Sequence, residues 1–110
     1  MNQWTQWKSM PSPHNAKNIE GPTGPGVYQI RNTKTGENIQ FGISVACQSR
    51  MKSLFPKPFG TGTRNNEDKR IYILNNWKDL EYRTLTTNTR EDAKKIEDQI
   101  KTKKNHLFNT

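Results

Sequence analysis

The sequence predicts an α+β fold: a small three-stranded antiparallel sheet flanked by helices, in the order β-β-α-α-β-α. Three observations carry the prediction. Residues 26–32 are rich in β-branched and aromatic residues, and residues 38–44 alternate apolar and polar side chains beyond a polar turn. Residues 80–87 alternate again. Residues 93–100 place apolar groups at helical spacing behind a capping signal.

Taken in order, residues 1–23 read as an N-terminal extension packed on a domain of residues 24–110. Trp4 and Trp7 are spaced to share one face of a short helix and to tuck the arm onto the domain; exposed, they would be a partner site. "PSPHNAKNIEGPTGPG" is rich in proline and glycine and reads as loop. "GVYQIRN" and "NIQFGIS" form a hairpin around "TKTGE", with Ile39, Phe41 and Ile43 on one face and Gln40 and Gly42 on the other. Ser44 can cap a helix running to Phe55, whose buried stripe is Cys47, Met51 and Leu54; Pro56 and Pro58 stop it. "FGTGTRNN" is a glycine-rich loop. "EDKRIYILNNW" gives a second helix with Ile71, Leu74 and Trp77 inward. "LEYRTLTT" is the third strand, with Leu80, Tyr82 and Thr84 on one side and Arg83 and Leu85 on the other. Thr89 and Asp92 form a variant capping box for a last helix, to Lys104, that buries Ala93, Ile96 and Ile100.

Composition narrows the class. The chain has 110 residues, enough for one core, and only 29% are hydrophobic. No stretch approaches the roughly 20 apolar residues of a membrane span, and the start has no signal-peptide core. Cys47 has no second cysteine to pair with. These features read as a cytoplasmic protein without membrane contact. Lysine and arginine number 18 against 10 acidic residues, a net charge of +8. The excess concentrates in residues 31–64, where Arg31, Lys34, Arg50, Lys52, Lys57 and Arg64 stand against Glu37 alone. Such a surface attracts polyanions, and Arg31, Lys34, Lys52, Lys57 and Arg64 are the candidate nucleic-acid contacts. Solubility alone would also account for the charge.

Several residues can carry chemistry. Glu97 falls in the apolar sector of the last helix with Ala93, Ile96 and Ile100, where a carboxylate calls for a metal ion or a basic partner; a boundary glutamate reaching water is the plainer reading. Arg50 is either a surface arginine or a planar donor to phosphate oxygens. Tyr28 is either a core tyrosine with a wet hydroxyl or a group that holds a water. The loop "GTGTRNN" lacks the Walker form and offers backbone contacts beside Arg64. His14 and His106 show no zinc spacing; His106 caps the last helix or reaches the site.

Together these residues resemble the GIY-YIG nuclease superfamily. Its first element is present as Gly26-Val27-Tyr28 and its second as Gln40-Phe41-Gly42. Arg50 follows Gly42 at the family's usual separation, and Glu97 and Asn109 match the later pair. The resemblance spans residues 24–110. It departs from the family at Gln40, which replaces a tyrosine, and at Leu54, where many members have histidine. What it implies is metal-assisted hydrolysis of phosphodiester bonds in nucleic acid, duplex DNA before RNA. One Mg²⁺ or Mn²⁺ would sit on Glu97, Arg50 would hold the phosphate, tyrosine hydroxyls would position the water, and Asn109 would hold the end of the site together. Glutamine at position 40 can orient a water but cannot take its proton, so Tyr28, His106 or metal-bound hydroxide would have to substitute. Two other readings stay open: a catalytically weakened nucleic-acid-binding module of the same fold, and a protein-interaction domain using Trp4 and Trp7.

Overall fold

The computed structural model describes residues 3–55, 59–60 and 67–108. Residues 61–66 of the glycine-rich loop with Arg64, Lys57 with its flanking prolines, and Asn109 lie outside the described residues.

The hairpin forms where alternation predicts it, as β2 (Gly26–Asn32) and β3 (Asn38–Ser44). Its turn is held locally. The Asn32 side-chain oxygen accepts from the backbone N–H groups of Lys34 and Thr35 at 2.9 and 3.1 Å, and Gly36 takes a φ of +77° that other residues rarely adopt. The faces differ from strict alternation. Register passes from Ile30–Gln40 to Arg31–Asn38, so Ile39 is an extra residue on β3. This bulge turns Ile39 into the cluster that holds Tyr28 and Ile30, away from Phe41 and Ile43.

The sheet has four strands, not three, in the order β1-β4-β2-β3 with β4 at Leu80–Thr86. The added strand is β1 (Lys8–Ser9), paired antiparallel with Tyr82 and Glu81. The arm before it is extended rather than helical: Trp4 bridges Leu85, and the Thr5 N–H donates to the Thr84 carbonyl at 2.9 Å. A one-turn helix cannot offset its own nucleation cost, whereas the edge of β4 offers ready backbone partners. Met10, Ala16 and Ile19 follow β1 into the core, so the expected extension is part of the folded unit.

The first helix is shorter than its stripe suggests. It spans α1 (Cys47–Met51) and tightens into a 3₁₀ turn over Lys52–Leu54. Ser44 is not its cap, because its hydroxyl accepts from Ala46 N–H at 3.0 Å. The amides of Cys47 and Gln48 are instead taken by the carbonyls of Gly24 and Pro22 at 3.1 and 2.7 Å. The expected stripe of Cys47, Met51 and Leu54 is buried, and burial pushes the Cys47 thiol up to about 11.

In α2 (Glu67–Asn76) the inward residues are Arg70 and Ile73, while Ile71 is 44% exposed and Leu74 is half-buried, as is Trp77 in the 3₁₀ turn that follows. The apolar residues at 71, 73 and 74 scatter around the helix without forming one stripe, so packing chooses the face. The final helix, α3 (Arg90–Lys103), is capped as expected by Thr89, whose hydroxyl accepts from Asp92 N–H at 3.1 Å.

Strand pairing sorts the side chains into two faces. Tyr28, Gly42 and Thr84 are in register, as are Ile30, Gln40 and Tyr82. This face meets α1 and α2 in the larger core, around Phe55, Met51 and Ile73. Val27 and Leu85 face the other way, onto Ala93, Ile96 and Ile100 of α3 and onto Trp4. No helix among the described residues is long and apolar enough to cross a membrane.

Candidate active site

β3 is an edge strand, so a groove can open where α1 and α2 on one face approach α3 on the other. A cavity of about 240 Å³ lies there. Tyr28 from β2, Gln40 and Gly42 from β3, Arg50 from α1 and Glu97 from α3 all line it. Four of the five residues expected to carry catalysis therefore share one cavity, and the fifth, Asn109, is outside the described residues.

Gly42 makes room for Tyr28. A β-carbon there would stand 2.6 Å from the Tyr28 hydroxyl and 2.7 Å from its ring carbons, so the phenol lies flat across the glycine. Tyr28 is 4% exposed, and burial raises its pKa above the ordinary tyrosine value; Arg50 opposes the shift. At neutral pH Tyr28 is a neutral hydroxyl. Gln40 is 3% exposed and lies on the side of the larger core. It was expected on the face away from the apolar side of β3; the bulge at Ile39 places core on both sides of the strand.

Sequence reasoning missed four cations in the same wall: Lys69 and Arg70 from α2, and Arg90 and Lys94 from α3. Arg70 is 7% exposed. Its Nε donates to the Ser53 carbonyl at 2.9 Å, but its Nη1 is buried with no hydrogen-bond partner. A buried donor left unpaired costs about 1–3 kcal/mol, and more when charged. Burial and the nearby Arg50 both lower the pKa values of Lys69 and Arg70. Among the described residues Glu97 is the one carboxylate of the wall, and its Oε1 accepts from Lys94 Nζ at 3.2 Å. Lys94 also reaches Asp98 at 3.0 Å. The Lys94–Glu97 pair was visible as an i,i+3 spacing. Arg70 left no comparable signal, because its inward direction depends on Ser53, 17 residues earlier.

The other expected contacts scatter. Arg31 lies on the opposite face, in an ion pair with Glu81 at 2.7 Å and 4.1 Å from the centre of the Trp7 ring. Lys34 is exposed in the β2–β3 turn, and Lys52 is half-buried after α1. Trp4 and Trp7 are half-buried, with Arg83 at 4.3 and 4.7 Å from their rings. His106 does not line the cavity of Tyr28. It stands with Gln29 and Arg83 in a hollow on the α3 face, its ring edge against Phe41. Arg83 Nε donates to Gln29 Oε1 at 2.8 Å, which leaves the Gln29 amide nitrogen to donate to His106 Nε2 at 3.1 Å. The imidazole proton is therefore on Nδ1, which is buried and unpartnered, and burial lowers the His106 pKa.

Compared with family profiles, curated proteins and solved structures, the chain has no match. Among the described residues, no group of three or more histidine, cysteine, aspartate or glutamate side chains is placed to hold a metal ion.

Proposed function

We propose that this protein is a divalent-metal-dependent endonuclease of GIY-YIG type that hydrolyses phosphodiester bonds in nucleic acid, DNA before RNA. One observation carries the reading: β2, β3, α1 and α3 bring Tyr28, Gln40, Arg50 and Glu97 to the wall of a single cavity. Arg50 would engage the scissile phosphate through its planar N–H fork and stabilise charge developing there. Tyr28, as a neutral hydroxyl, and Gln40, as an amide, would hold the attacking water by hydrogen bonds; neither would remove its proton.

The donor chemistry of the wall limits how a metal could bind. Glu97 stands against five cations there, Arg50, Lys69, Arg70, Arg90 and Lys94. A lone carboxylate is a common protein share for Mg²⁺, which keeps several waters and binds substrate phosphate as well. The residues therefore fit an ion that arrives with the phosphate and do not fit one held by protein alone. Glu97 would hold it, and it would supply Lewis-acid stabilisation of the leaving oxygen.

The second reading, a nucleic-acid-binding module with weakened or no hydrolysis, draws on two features: Gln40 in place of a tyrosine and the engagement of Glu97 by Lys94. Plasmid nicking in Mg²⁺ or Mn²⁺ against EDTA decides between them. Wild type should nick only with metal, and Glu97→Gln should lose that activity while keeping its melting temperature within a few degrees. If no nucleic acid is cut with any divalent ion, the binding reading replaces hydrolysis.

A further inference from the structure

The Ser53 carbonyl turns Arg70 inward but satisfies only its Nε, and Nη1 is left without a partner. The side chain is more than nine-tenths buried at the cavity wall, one nitrogen is fixed by the Ser53 carbonyl, and another has no partner. A surface arginine would relax into water and shed this cost. Here the Ser53 bond holds the guanidinium at the wall that Arg50 and Lys69 also line. The acidic residues at the start of α2, Glu67 and Asp68, are exposed, and Glu97 is already engaged by Lys94. A buried guanidinium with an unpartnered nitrogen, at a wall it shares with the exposed Arg50 and the half-buried Lys69, is compensated when an anion binds there.

The chemistry of the cluster selects the anion. A carboxylate presents two oxygens in one plane and can satisfy one guanidinium fork, leaving the second uncompensated. A phosphate presents oxygens in several directions, which suits two planar forks and an ammonium approaching from different elements.

We propose that Arg70, with Arg50 and Lys69, forms a phosphate-binding site that works without metal. The site deepens the hydrolytic reading, since it names what holds the substrate phosphate, but phosphate binding stands even where hydrolysis fails. Arg70 is the anchor, because Ser53 orients it before any ligand arrives. The phosphate belongs to a nucleic-acid backbone or is a free ion, and the two sources share this recognition.

The test follows the arginine Nε–H signals of ¹⁵N-labelled protein in EDTA during titration with inorganic phosphate, with acetate, and with a short thymidine oligonucleotide. The expected result is a saturable shift of the Arg70 signal with phosphate and none with acetate at equal ionic strength. Tighter binding of the oligonucleotide assigns the site to the backbone; equal or weaker binding assigns it to free phosphate. Arg70→Gln, checked for fold by circular dichroism, should weaken phosphate binding at least tenfold, while Arg83→Gln on the opposite face should leave it unchanged. If Arg70→Gln does not fold, Arg70→Lys replaces it, with a loss of several-fold expected because an ammonium cannot hold the Ser53 bond and the ligand in one plane. Acetate binding as tightly as phosphate, or a folded Arg70 variant with wild-type affinity, overturns the proposal. Phosphate binding with no nicking in Mg²⁺ rejects hydrolysis alone. Full-rate nicking by a folded Arg70→Gln protein rejects the Arg70 site alone.

Discussion

The two faces of the sheet use arginine in opposite ways. On the α3 face both strand arginines are answered. Arg31 pairs with Glu81 and stacks on Trp7, and Arg83 donates to Gln29 and lies over Trp4 and Trp7. On the α1–α2 face Arg50 and Arg70 stand with Lys69 at a cavity, and Arg70 keeps a buried nitrogen without a partner. The residue type is the same, and what differs is its surroundings. Aromatic faces and a carboxylate make arginine part of the scaffold, while a second cation makes it a receptor for an anion. A charge count along the chain cannot tell these surroundings apart, and it gives no sign of Arg70.

Substitutions on each face test the contrast. Gly42→Ala should have the largest effect, because the new methyl would meet the Tyr28 ring at 2.6–2.7 Å. Displacing a buried phenol in this way costs about 1–3 kcal/mol, and it would move the hydroxyl that faces the cavity. Chemical denaturation should show the loss of stability and nicking should fall with it. Gly24→Ala is the matched control, since nothing lies within 4 Å of its β-carbon position. Equal effects of the two changes would mean that Tyr28 is not held by Gly42.

On the other face, Trp7→Ala removes the ring shared by Arg31 and Arg83. Each such contact contributes roughly 0.5–1 kcal/mol when partly exposed. The melting temperature should drop by a few degrees while affinity for duplex DNA stays unchanged. A fall in DNA affinity with little change in melting would place the tryptophan arm in the binding surface and end the distinction between the faces.

The smallest effect concerns His106. Its pKa is lowered in the folded chain, so below about pH 6.5 the unfolded state binds a proton more readily than the native state. Stability is then complete above that pH and declines as pH falls toward the folded pKa, where the decline levels off. Melting curves from pH 7.5 to 5 should show this slope, and His106→Asn should flatten it. The nicking rate at constant temperature should not follow the same curve, because His106 lies in the hollow with Gln29 and Arg83 and away from Tyr28.

Features that close within a few residues are legible in the sequence alone. The turn over residues 33–37, the Thr89 cap and the apolar face of α3 all depend on neighbours two to four positions away. So do the alternation of β4 and the buried stripe of Cys47, Met51 and Leu54. The site is legible to the same extent: Tyr28, Gln40, Arg50 and Glu97 can be chosen by type and spacing, but not shown to meet. Their meeting depends on which side of an edge strand each helix packs, and that is a property of the assembled sheet. Tertiary structure alone decided four other things. β1 exists because β4 has an edge to pair with, α1 begins where Gly24 and Pro22 reach its amides, and Ile39 turns inward because β2 and β3 differ by one residue in register. Arg70 points inward because a carbonyl 17 residues earlier receives it. Each of these rests on a backbone group far along the chain, and distant backbone groups leave no periodicity in the sequence for a local pattern to register.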